Sequence, residues 1–74
     1  MDLPDHYRQN HEAAAKERAW MNEVLAKARD YRQAALDFRA VLKNRSLPDS
    51  AVADAAQRLR GHANELRRAA EGEP

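Results

Sequence analysis

The chain has no cysteine, no isoleucine and no threonine, and only two glycines, three prolines and four aromatic residues. Without cysteine it has neither a disulfide framework nor a thiolate metal site. Two glycines and no run rich in β-branched residues leave almost no material for strands or hairpin turns. No apolar run approaches the ~18 residues needed to span a bilayer. The opening residues, Met1-Asp2-Leu3-Pro4-Asp5, are acidic and carry no apolar segment, so no secretory signal is expected. These absences point to a reducing, cytoplasmic setting.

What remains is helix-forming. Of the 74 residues 43% are apolar, but 16 of them are alanine, and the larger apolar side chains are few: seven Leu, three Val, two Met, one Phe, one Trp and two Tyr. Ala, Arg, Leu, Glu and Gln all favour helix, so the expected class is all-α, one domain over residues 1–74 with frayed ends at 1–3 and 72–74. A chain this short buries a small fraction of its surface, and alanine adds little per residue. A folded monomer is therefore marginal, and self-association is the natural remedy. Arginine outnumbers lysine ten to three, which with the alanine content suggests a GC-rich genome and a bacterial or phage origin.

Two similar segments, Asp2-Leu3-Pro4-Asp5 and Ser46-Leu47-Pro48-Asp49, read as helix starts. Each offers a capping residue, a proline where a missing N–H does no harm, and a carboxylate in the first turn. They predict a long helix over about 4–44 and a shorter one over about 48–71, ending before Gly72 as a C′ glycine. The connection is short, so the helices should form an antiparallel hairpin, with a break allowed near Asn10-His11. Met21, Val24, Ala28, Tyr31, Ala35, Phe38 and Leu42 follow the 3-4 spacing of a coiled-coil seam, matched by Val52, Ala56, Leu59, Ala63, Leu66 and Ala70. Pairs at i,i+4, namely Glu12–Lys16, Glu23–Lys27 and Asp54–Arg58, should support the exposed faces. Trp20, Leu25, Leu36 and Val41 widen the apolar arc of the first helix to roughly 160°, more than one facing helix can cover. A four-helix bundle made by a homodimer, or a higher oligomer, is the expected solution.

Net charge is only +1, with the basic excess gathered in residues 27–45, where six cations face two acids. There Arg29, Arg32, Arg39 and Lys43 form a narrow strip beside the seam and are the candidate anion-binding residues. The plainer reading is that their long stems cover the seam and their heads pair with acids of a neighbouring helix. Trp20, Tyr31 and Phe38 lie along the opposite edge, which suits core or oligomer contact better than base stacking. Trp20 is the preferred interface anchor, and the partner or oligomer interface is expected to comprise Trp20, Met21, Val24, Leu25, Tyr31, Leu36, Phe38 and Leu42.

The histidines give no metal motif. His6 and His11 are five residues apart and point in different directions along a helix, and His11-Glu12 is not followed by a second His at Ala15. His62 has only Glu65 at ligand spacing, so no metal or cofactor is expected. Catalytic motifs are lacking too: no Gly-rich phosphate loop, no Gly-x-Ser-x-Gly, and two serines, Ser46 and Ser50, placed where helix capping accounts for them. Gly61 falls off the apolar stripe of the second helix, with close approach of a partner as its one functional reading. The expected function is a non-enzymatic protein-interaction module, whether adaptor, chaperone-like or host-factor-binding inhibitor, that self-associates and binds a second protein. Nucleic-acid or nucleotide binding along the basic strip is the alternative. In layout alone, the hairpin is similar to small RNA-binding four-helix bundles and to the hairpin chaperones of bacterial secretion systems.

Overall fold

Two helices make up the ordered framework. The computed structural model describes residues 5–74, with side chains from His11 onward. Helix α1 spans Asp5–Lys43 (39 residues) and helix α2 spans Asp49–Glu71 (23 residues), and they pack against each other as an antiparallel hairpin. α1 contains neither Gly nor Pro, so nothing interrupts its i→i−4 hydrogen-bond ladder, and it runs as one continuous helix, without the break that the sequence allows near Asn10-His11. The helix start expected at residues 2–4 lies outside the described residues. At 1.5 Å per residue α1 is about 58 Å long and α2 about 35 Å, so the first turns of α1 extend past the end of its partner.

The connection differs from the expectation in its chemistry. Ser46 does not cap α2. Its backbone N–H and its hydroxyl both donate to Asn44 Oδ1, at 3.2 and 2.6 Å, closing an Asx-type turn at the end of α1. The Leu47 N–H donates to the Asn44 carbonyl at 3.2 Å, so Asn44 organises the turn through both side chain and backbone. Pro48 occupies the N-cap position of α2 with extended φ/ψ of −70°/160° and no side-chain cap. Its carbonyl accepts the Ala51 N–H at 3.0 Å, and Asp49 puts a carboxylate in the first turn where the helix dipole favours it. Ser50 lies within the first turn of α2. At the other end, Gly72 donates to the Arg68 and Ala69 carbonyls at 3.1 and 3.2 Å, but with φ −79° it does not use the left-handed freedom expected of a C′ glycine.

The contact between the helices is thin. Among the described residues, one side chain, Ala69, counts as buried, and it is still 9% exposed. Around it, Trp20, Val24, Ala28, Ala34, Ala35, Phe38 and Val41 of α1 are half-buried against Val52, Ala55, Ala56, Leu59, His62, Ala63 and Leu66 of α2. This is a shift from the expected seam: Met21 and Leu42 stay exposed, Ala70 is exposed where Ala69 is covered, and α2 sits toward the Trp20–Phe38 edge. Charge explains the shift. Centring α2 on Met21 and Leu42 would draw the flanking Arg32, Arg39 and Lys43 toward a dry contact, and desolvating a cation costs more than leaving a Leu in water. The radius of gyration, 19.3 Å, compares with about 11 Å for a compact domain of this length.

Gly61 sits mid-helix and exposed, and a Cβ built on it meets nothing within 4 Å. Nothing in the hairpin requires glycine there. Gly61→Ala is expected to stabilise the chain by about 1 kcal/mol through helix propensity alone, raising the melting temperature by about 4–8 °C in circular dichroism.

Candidate functional site

The hairpin has two unlike faces. One carries a shallow cleft of about 220 Å³ lined by Asp30, Gln33, Asp37 and Val41 of α1 and by Ala55, Arg58 and His62 of α2. Farther along the same face Glu23 and Lys27 meet Glu65 and Arg68. Charges here are mixed and partly paired. Lys27 Nζ lies 3.6 Å from Glu65 Oε2, and His62 Nδ1 lies 3.7 Å from the same oxygen. That second distance is too long for a hydrogen bond, so this shielded ring nitrogen has no hydrogen-bond partner. Gln33 donates to Asp37 Oδ1 at 3.0 Å. Lys27 thus bridges to α2 rather than to Glu23, and the expected Glu12–Lys16 and Asp54–Arg58 pairs are not formed. The intrahelical i,i+4 pair observed is Arg67–Glu71, at 3.8 Å and well exposed.

The opposite face is open and carries exposed apolar side chains interleaved with cations. Met21, Leu25, Leu36 and Leu42 are 50%, 54%, 50% and 53% exposed. At about 100° per residue the first three fall on the side of α1 turned away from the cleft, together with Arg29, Arg32, Arg39 and Lys43. Two rows of seven-residue spacing, Arg18-Leu25-Arg32-Arg39 and Arg29-Leu36-Lys43, make up this strip. The acids of the same stretch, Glu23, Asp30 and Asp37, are also seven apart and lie on the other side. None of the strip's cations makes an ion pair among the described residues, whose ion pairs are those of Lys27, His62 and Arg67. The structure therefore brings together Met21, Leu25 and Leu36 with all four candidate anion-binding residues. It separates them from Trp20, Val24 and Phe38, which face α2, while Tyr31 lies at the boundary, 38% exposed. Leu42, five full turns on from Val24, shares the side of α1 that Val24 takes.

Trp20 has a definite role in the hairpin. Its indole Nε1 donates to the Ala69 carbonyl at 2.7 Å. Ala69 is in the last turn of α2, and its carbonyl, which also accepts the Gly72 N–H at 3.2 Å, takes the indole as a second donor, so Trp20 ties α1 to the C-terminal turn of α2. The strip also contains Arg18, which sequence reasoning passed over. The signal was available in the heptad row that Arg18 shares with Leu25, Arg32 and Arg39.

Among the described residues no group of three or more His, Asp or Glu side chains is arranged to hold a metal ion, and no helix is long and apolar enough to cross a membrane. Comparison with known proteins adds no family to this geometry: no family model matches the chain, and no curated protein or solved structure matches it.

Proposed function

We propose that the chain is a small, non-enzymatic protein-interaction module: a two-helix hairpin whose bundle is completed by helices from a further polypeptide. The observation that carries this reading is the poverty of its own core. Among the described residues one alanine is buried, while Met21, Leu25 and Leu36 stand half or more exposed along one face. The accessible surface is 6519 Å². A compact monomer of 8.4 kDa exposes about 4,600 Å². The two-helix hairpin thus exposes more surface than a compact monomer of its mass.

A second copy of the chain is the simplest polypeptide able to cover that surface, and two hairpins would make a four-helix bundle. Sedimentation equilibrium combined with thermal unfolding across protein concentrations tests the proposal. A melting temperature that climbs with concentration supports self-association. A low, flat one below about 45 °C supports a module that waits for a different chain. A stable 8.4 kDa species melting above about 65 °C regardless of concentration would sink it.

One observation favours nucleic-acid binding as a second reading: the unpaired cations Arg29, Arg32, Arg39 and Lys43. Leucines rather than aromatics separate them, and Trp20 and Phe38 are turned toward α2, which leaves the strip without a stacking platform.

A further inference from the structure

The open face also has a chemistry that selects its occupant, on the reading that the chain is an interaction module. Along α1, from Arg18 to Lys43, its charged side chains are all cations, because Glu23, Asp30 and Asp37 lie on the cleft side. Arg60 of α2 sits at the far edge by helical position. Among the described residues, acids reach this face at its ends, through Glu17 and the Arg67–Glu71 pair at one and Asp49 at the other.

Two occupants compete. A second copy related by two-fold symmetry would set Arg29, Arg32, Arg39 and Lys43 against their own counterparts, with no acid between them. Charges of one sign directly opposed across an interface cost several kcal/mol and steer the wrong partner away. A helix with an apolar stripe and acidic flanks meets neither objection. Its apolar side chains meet Met21, Leu25 and Leu36, and its carboxylates reach the cations that alternate with the two leucines along the same two rows, where bidentate pairing with the arginines is available. From Met21 to Lys43 the face is about 33 Å long, which matches a partner helix of roughly 20 residues.

We propose that the open face of α1 is the docking site for an acidic amphipathic helix of another protein, which adds a third helix to the hairpin. Charge complementarity carries this choice of occupant, and it fixes the sign of the salt dependence. Docking of an acidic helix weakens as salt rises, whereas face-to-face pairing of two copies strengthens.

The test uses the full chain and three labelled probes followed by fluorescence anisotropy. They are a designed helix of about 20 residues with Leu at its a and d positions and Glu on its flanks, the same peptide with Lys in place of Glu, and a single-stranded RNA oligonucleotide. The expected result is that the Glu peptide binds at least about tenfold more tightly than the Lys peptide at low salt, and loses that advantage near 1 M salt, where the Debye length falls to about 3 Å. Arg32→Glu with Arg39→Glu should reverse the preference between the peptides while leaving helicity intact, since both side chains are exposed. Equal binding of the two peptides, or RNA bound more tightly than the Glu peptide, would overturn the inference. So would a dimer of the chain that tightens with salt and excludes the Glu peptide, although that result would leave the interaction-module reading standing. A stably folded monomer that binds none of the probes would overturn both.

Discussion

Trp20→Ala should destabilise the hairpin by about 2–3 kcal/mol and lower its melting temperature by about 10 °C or more, read by circular dichroism at 222 nm. A fully buried Trp replaced by Ala costs about 3–5 kcal/mol, and Trp20 is half-buried, so the packing loss is scaled down. To this is added the hydrogen bond to the Ala69 carbonyl, a net contribution of about 1 kcal/mol. The carbonyl is not stranded by the change, because it also accepts the Gly72 N–H. Trp20→Phe separates the two parts. It keeps a ring over Ala69 and loses only the donor, so it should cost about 1 kcal/mol. If Trp20→Ala leaves the melting curve unchanged, the indole is not what fastens α1 to the last turn of α2.

Leu25→Ser combined with Leu36→Ser should do the opposite: leave the hairpin almost untouched and weaken its assembly. Both side chains are half or more exposed and outside the α1–α2 contact, so their removal should change stability by about 0.5 kcal/mol or less, as for ordinary surface positions. On the open face they are the largest apolar anchors beside Met21. Each is about half exposed, so roughly 0.8–1.5 kcal/mol of burial against a covering partner is lost per leucine removed. Together the two changes should therefore weaken association by about ten- to a hundredfold, measured by sedimentation equilibrium or by titration with a bound polypeptide. Equal association of wild type and double variant would place the interface elsewhere.

The contrast between Trp20 and Leu25 shows what was legible in the sequence. Both flank the heptad seam of α1 and both are large and apolar, and periodicity alone gives each the same standing. The two helices, the turn between them and the excess width of the apolar arc follow from capping residues, proline placement and 3-4 spacing, because these are local properties of the chain. Which part of a 160° arc α2 takes is not local. It depends on keeping Arg32, Arg39 and Lys43 wet and on an acceptor at Ala69 that exists only once α2 ends near Trp20. The turn shows the same limit: Ser46 reads as a cap from its place before Pro48, but Asn44 competes for its hydroxyl and holds it. Lys27 likewise has Glu23 at the favoured intrahelical spacing, yet it reaches Glu65 across the helix contact. The basic strip was visible as a strip. That its four cations lack partners within the hairpin could be seen only with α2 in place.

The incompleteness of the hairpin is the claim on which the rest depends, and amide hydrogen exchange of the isolated chain tests it most directly. The most slowly exchanging amides report the free energy of global opening. With the mass held at 8.4 kDa, those in the segment from Trp20 to Val41 should open at a cost below about 3 kcal/mol, less than the usual range for a stable domain. Protection should rise along the same segment when a polypeptide covers the open face. Opening free energies above about 5 kcal/mol in the uncovered monomer would contradict the account, because a hairpin that stable needs no further helix.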